Sequence, residues 1–117
     1  MKLIQTDSPA VGLSTNISIP EEPSGLVAVD VPVRIEPPPK HLPRLILVYS
    51  LGSKDPVDRV LKGSRLVHNW LRFSIPREHC PAGGYLTLSA EMGGTVLWQK
   101  CYRVGWKRSM PFLDELS

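Results

Sequence analysis

The most constraining feature of this sequence is a strict alternation over residues 26–35. Every second position there holds a branched apolar residue, namely Val27, Val29, Val31, Val33 and Ile35. The positions between them hold small, charged or proline residues. A period of two places all the branched side chains on one face of an extended chain, whereas a helix would scatter them around its circumference. The segment is therefore predicted to be a half-buried β-strand.

Similar strand-like runs recur along the chain at a spacing of about ten residues, with turn residues between them. They cover residues 16–19, 44–51, 64–75, 85–92 and 95–104. The run 44–51 is apolar on both faces, which predicts a central strand covered on both sides. Gly93 and Gly94 lie between the last two runs and predict a hairpin turn. Twelve prolines favour turns and strand edges, and Pro32 predicts an edge or a bulge.

One short helix is predicted at 55–62. Asp55 suits the N-cap, Pro56 suits the first helical position, and Gly63 is placed for a C-terminal cap. The segment is only about two turns long, and short helices depend on tertiary packing. An extended loop is therefore kept as the alternative for these residues.

About seven short strands with turns between them predict an all-β, two-sheet antiparallel sandwich. The residues Phe73-Ser74-Ile75-Pro76, followed by 84–88 and a hairpin, resemble the late strands of immunoglobulin-like domains over about thirty residues. The resemblance implies an immunoglobulin-like sandwich, and it implies no particular function, because one fold serves many functions. We expect a single domain over 1–107 and a C-terminal tail over 108–117.

Composition and charge exclude several functional classes. The formal net charge is +3, from 14 Lys and Arg against 11 Asp and Glu, and the basic residues are dispersed, so nucleic acid is not an expected partner. No apolar run is long enough to cross a membrane. Residues 1–7 lack the apolar core of a signal peptide. We therefore expect a cytoplasmic protein, or a mature fragment whose signal sequence has been removed.

No set of residues has the spacing of a catalytic, cofactor or metal site. His79 and Cys80 form one adjacent pair, whereas closed zinc sites need paired ligands at two places. The carboxylate pairs at 21–22, 55/58 and 114–115 lie in turns or termini, where solvation and capping explain them. We expect no enzyme activity, no metal and no cofactor. Cys80 and Cys101 lie far apart along the predicted hairpin and are expected to be free thiols.

The aromatic and basic residues of the last run are the first candidates for binding. If the strand stays extended, Trp98, Tyr102 and Trp106 share one face, with Tyr85 opposite Tyr102. An exposed row of this kind could stack on sugars, and a buried row would form the core. Basic residues lie among them at 100, 103, 107 and 108, where they could bind single strands of nucleic acid or protect a sheet edge.

The C-terminal tail is the second candidate, because it could dock on its own domain or on another chain. We expect a non-enzymatic interaction module, an accessory or structural subunit that engages a protein partner or a second copy of itself. The alternative is a carbohydrate-binding module with an aromatic stacking platform. The candidate partner-binding residues are Tyr85, Trp98, Tyr102, Arg103, Trp106, Lys107, Arg108, Phe112, Leu113 and Leu116.

Overall fold

The computed structural model describes residues 1–14, 25–38, 40–41, 44–52, 59–62, 66–67 and 70–116. Within these ranges the chain forms ten β-strands and a short 3₁₀ turn at Arg77–His79. The strands are β1 (Lys2–Gln5), β2 (Ala10–Ser14), β3 (Leu26–Glu36), β4 (Ile46–Leu51), β5 (Arg59–Lys62), β6 (Leu66–Val67), β7 (Trp70–Pro76), β8 (Tyr85–Met92), β9 (Thr95–Lys107) and β10 (Met110–Glu115).

The strands form two antiparallel sheets, which confirms the predicted all-β sandwich. The first sheet has the order β1-β3-β7-β6, with β2 also paired to β3, and the second has the order β10-β9-β8-β4-β5. Strand β4 lies between β8 and β5, as its two apolar faces predict. The hairpin of β8 and β9 turns at Gly93 and Gly94, also as predicted.

The core lies between the sheets and is built from alternate side chains of each strand. The alternating valines of β3 are at most 2% exposed, and they belong to one apolar cluster with Leu71 and Ile75 of β7 and Leu86 and Leu88 of β8. Burying one such side chain contributes about 1.5–3 kcal/mol relative to leaving it in water. The period of two in residues 26–35 therefore arises because every second side chain is buried between the sheets, as predicted.

Pro32 lies in a strand that is paired on both sides, so the predicted edge position is wrong. The predicted alternative, a bulge, is not present either, because β3 pairs with β7 in unbroken register from Leu26 to Pro32. On the other side of β3, pairing with β2 runs up to Asp30, and pairing with β1 begins at Val33. Between these points the Pro32 carbonyl accepts a hydrogen bond from the Thr6 amide at 3.0 Å. The missing N–H of Pro32 therefore falls where one edge strand ends and the next begins.

The predicted helix at 55–62 is wrong in its second half. Residues 59–62 form β5, which pairs antiparallel with β4 from Ser50↔Arg59 to Leu47↔Lys62. Pairing to a central strand supplies these residues with backbone hydrogen bonds that a two-turn helix could not match. Residues 55–58 and the predicted strand at 16–19 lie outside the described residues. The predicted strand at 64–75 is present as β6 and β7.

The predicted pairing within the hairpin of β8 and β9 is off by one residue. A β-bulge between Ala90 and Glu91 shifts the register, so that Tyr85 lies opposite Arg103 rather than Tyr102. The same shift places Trp98 opposite Ala90 in the core and leaves Val96 exposed. A bulge inserts one extra residue and thereby exchanges the two faces of the strand beyond it.

Candidate functional site

The C-terminal tail folds back on its own domain as the edge strand of the second sheet. Strand β10 pairs with β9 from Met110↔Lys107 to Glu115↔Tyr102. The Leu116 amide extends the ladder by donating to the Cys101 carbonyl at 3.0 Å. Of the two alternatives for the tail, the structure has the docked one.

Alternation along β10 divides its side chains between the core and the surface. Pro111 is buried and Leu113 packs against the core, so both lie on the inner side of the strand. The residues between them lie on the outer side, together with the outward residues of β9 and with Tyr85 at the start of β8. We call this outer surface the hairpin face. It consists of Tyr85, Cys101, Arg103, Gly105, Lys107, Met110, Phe112, Asp114 and Leu116.

Four large apolar side chains of the hairpin face are exposed to solvent. The exposed fractions are 48% for Met110, 41% for Phe112, 40% for Tyr85 and 39% for Leu116. An open cleft of about 730 Å³ lies at one end of the face, lined by Lys107, Arg108, Met110, Pro111 and Phe112. The cleft therefore combines an apolar floor with two cationic side chains.

The turn that carries Arg108 to the cleft has a strained backbone. Arg108 and Ser109 have φ values of 53° and 64°, in the left-handed region that L-residues with a Cβ avoid. Each such residue costs about 1–2 kcal/mol. The turn between β8 and β9 uses Gly93 and Gly94 at φ 58° and 82°, where this cost is absent. The strain thus falls on the turn that lines the cleft.

Opposite charges lie side by side at the centre of the hairpin face. Arg103 and Asp114 are directly opposite each other on β9 and β10, and both are exposed. The ion pairs among the described residues include Lys100 with Glu115 and Arg72 with Asp30, but Arg103 and Asp114 do not form one with each other. Within the described part of the chain, neither Arg103 nor Asp114 takes part in an ion pair.

Trp98 and Tyr102, two of the predicted binding residues, lie in the core instead. Trp98 is 7% exposed, its ring centroid lies 6.3 Å from that of Phe73, and its Nε1 donates to Gln5 Oε1 at 3.3 Å. Tyr102 is 1% exposed, and burial raises the pKa of its hydroxyl. An exposed stacking platform made of Trp98, Tyr102 and Trp106 is therefore not present.

Trp106 is half-buried and holds the 3₁₀ turn against the end of β9. Its Nε1 donates to the Cys80 carbonyl at 2.7 Å, and the Arg77 guanidinium lies 4.8 Å from the ring centroid. A cation over an indole face is attracted by the ring quadrupole. Trp106 therefore has a structural role, because it connects β9 to Arg77 and Cys80.

Cys80 and Cys101 are free thiols, as predicted, and differ in surroundings. Cys80 is 1% exposed, and burial raises the pKa of its thiol to about 12. The neighbouring His79 lies with its Nδ1 3.0 Å from the Tyr49 hydroxyl. A thiol with a raised pKa is a poor nucleophile. No group of three potential metal-ligating side chains is found among the residues that the structure describes.

The structure adds Met110 and Asp114 of β10, and Cys101 and Gly105 of β9, to the residues that the sequence indicated for this surface. The two residues of β10 could have been found by the alternation that predicted β3. From Met110 to Leu116 all even positions are exposed, whereas Pro111 is buried and Leu113 is partly buried; Glu115, near the end of the strand, is the exposed odd position. Treating the tail as a strand would have separated Phe112 from Leu113, which face opposite sides.

The chain matches no protein-family model, no curated protein and no solved structure. Within the described residues, no helix has the length and apolar character needed to span a bilayer.

Proposed function

We propose that this chain is a non-enzymatic interaction module, an accessory or structural subunit that binds a protein partner through the hairpin face. The observation that carries the proposal is the alignment of Met110, Phe112, Tyr85 and Leu116 on one outward surface, each of them about two-fifths exposed or more. Leaving such side chains in water forgoes the free energy that their burial would provide. A partner that covered them would recover it.

Two arginines accompany the apolar side chains of this surface. Arg103 lies on the hairpin face and Arg108 lines the cleft, and arginine and aromatic residues are enriched where proteins meet. The cleft beside Phe112 has the volume to receive a large side chain of a partner as an anchor. Strain at Arg108 and Ser109 is consistent with a binding role, because strained backbone concentrates at functional sites.

We also propose that the sandwich is immunoglobulin-like. The support is the strand order, in which β3, β7 and β6 follow one another in one sheet, and β9, β8 and β4 follow one another in the other. Immunoglobulin sandwiches have the equivalent sheets A-B-E-D and G-F-C, with a further strand beside C in the variable type. Strand β10 would be an addition to that plan, after the last strand.

Retention of proteins from an extract of the source cells tests the proposed site. Immobilised wild-type chain is compared with Phe112→Asp. The matched control is Val96→Asp, because Val96 is 45% exposed on the outer side of the same sheet, near the start of β9 and outside the hairpin face. We expect Phe112→Asp to lose specific proteins that the control retains. If Phe112→Asp retains every protein that wild type retains, the hairpin face is not the binding site.

The alternative of a carbohydrate-binding module lacks a supporting arrangement, because two of its three platform residues are in the core. A titration of the intrinsic tryptophan fluorescence with cellulose, chitin and xylan oligosaccharides separates the two functions. The interaction module predicts no change in emission. A saturable change that Trp106→Phe abolishes would favour the carbohydrate-binding module instead.

A further inference from the structure

We infer that the hairpin face binds a second copy of this chain. The two copies are related by a two-fold axis that lies between the two facing surfaces, parallel to β9 and β10 and above the line between these strands. The inference rests on the proposed function, because it names the partner of the same surface. In a two-fold contact, a residue i that meets residue j of the second copy is matched by residue j meeting residue i of the second copy. The surface must therefore be complementary to itself.

The charges of the hairpin face meet this requirement. Arg103 and Asp114 are a directly opposed cross-strand pair, with opposite signs and no ion pair between them. A two-fold axis between the strands exchanges the positions of β9 and β10. It therefore places Arg103 over Asp114 of the second copy, and Asp114 over Arg103 of the second copy. Two ion pairs therefore form across the contact at this central row.

The apolar residues of β10 also satisfy the requirement that the surface be complementary to itself. The same axis keeps each row of the ladder over the same row of the second copy, so Phe112 of each copy comes over Gly105 of the other. The cross-strand pairs at the two ends of the face have one apolar member each. Met110 comes over Lys107 of the second copy, where it can cover the aliphatic stem, and Leu116 comes over Cys101.

The size of the face sets the strength of the association. Strand β10 contributes six residues, which span about 20 Å, and the axis lays only β9 and β10 over the second copy, so the contact is two strands, about 10 Å, wide. A patch of this size is smaller than the interface of a stable complex, so the association is weak and transient. We therefore expect a dimer that forms at high protein concentration and dissociates on dilution.

Sedimentation velocity with two charge-reversed variants, measured separately and mixed, tests the inference. In Arg103→Asp both central residues are acidic, and in Asp114→Arg both are basic, so each variant alone would bring like charges together across the contact. We expect each to weaken self-association about tenfold or more. When the variants are mixed in equal amounts, every acidic position faces a basic one, and we expect a heterodimer.

The mixture separates the inference from a loss of folding. Each variant also creates a like-charge cross-strand pair within its own chain, and such a pair destabilises a sheet slightly. Mixing cannot relieve repulsion inside a chain, so restored association requires contact between copies. Lys2→Asp is the control, because Lys2 is an exposed cation of β1 in the other sheet, and we expect it to associate like wild type.

Three results would overturn the inference: a wild-type chain that stays monomeric at the highest soluble concentration, an Arg103→Asp variant that dimerises like wild type, or a mixture that remains monomeric. None of these decides the proposed function. That function fails on a different result, the retention of all bound proteins by Phe112→Asp.

Discussion

The aromatic ring of Phe112 lies over the Cα of Gly105, its directly opposed neighbour on β9. A Cβ placed on Gly105 would meet Cε2 and Cε1 of that ring at 2.5 and 2.7 Å, closer than real Cβ atoms approach other heavy atoms. The glycine therefore leaves room for the far end of the Phe112 ring over the strand, and Phe112 lines the cleft. Backbone and side chain together shape the hairpin face.

The first prediction is that Gly105→Ala displaces the Phe112 ring and lowers the free energy of unfolding by about 1 kcal/mol, a modest overpacking cost. The cost stays modest because a half-exposed ring can swing into solvent. Urea unfolding measures the loss. Gly12→Ala is the control, since its Cβ would meet nothing within 4 Å, and there we expect no loss of stability or a small gain. Equal losses at both positions would contradict the assigned contact.

The second prediction concerns the indole N–H of Trp106. Trp106→Phe removes the donor that bonds the Cys80 carbonyl at 2.7 Å, and we expect a loss of about 1–2 kcal/mol in the free energy of unfolding. For comparison, Trp70 is 39% exposed, and Trp70→Phe should change stability by no more than about 0.5 kcal/mol. A Trp106→Phe variant as stable as wild type in urea would show that the hydrogen bond contributes little.

The third prediction is that the two thiols react at very different rates with an aromatic disulfide reagent. Cys101 is partly exposed on the hairpin face, whereas Cys80 is buried and its raised pKa keeps it protonated. Native protein should show one fast equivalent of thiol, and unfolded protein should show two. Cys101→Ser should abolish the fast phase. Two fast equivalents in the native state would mean that Cys80 is accessible.

The fourth prediction is a loss of stability in alkaline solution. Burial raises the pKa of Cys80 from 9.0 to about 12, and burial also raises the pKa values of Tyr49 and Tyr102 above 10.0. Above pH 9 the unfolded chain releases protons that the folded chain keeps, so the unfolded state gains stability relative to the folded state. The stability that these groups contribute is fully present below pH 9 and is lost as the pH rises toward their pKa values in the folded state.

Thermal unfolding across this range measures the effect. Each group can lower stability by up to about 1.4 kcal/mol per pH unit. Between pH 9 and 10, where only Cys80 has passed its ordinary value, Cys80→Ala should show a shallower decline than wild type, although its stability at neutral pH is lower. Parallel declines in the two proteins would show that Cys80 is not the group responsible.

The sequence was sufficient to predict the sandwich because the period of two in β3 and the glycine turn of β8 and β9 are local signals. It was insufficient where tertiary pairing decides the structure. Residues 59–62 carry helix signals, yet they form β5, because β4 offers them a ladder of hydrogen bonds. The bulge at Ala90 and Glu91 leaves no mark in composition, and it changes which residue of β9 each residue of β8 faces.

The candidate surface was predicted in part for the same reason. Arg103, Lys107 and Phe112 do lie on the hairpin face. Trp98 and Tyr102 face the core, because they lie with Val104 on the side of β9 that is turned toward the other sheet. Exposure of an aromatic residue depends on which layer covers it. That information is a property of the two sheets and not of the strand alone.

Photo-crosslinking in the source cells tests the central claim most directly, with a benzophenone amino acid placed at Phe112 or at Leu13. Leu13 is 40% exposed in β2 of the other sheet and serves as the control. The account predicts discrete protein adducts from position 112 only, including one of twice 13.0 kDa if the second copy is bound. Adducts from Leu13 alone, or equal adducts from both positions, would contradict the account.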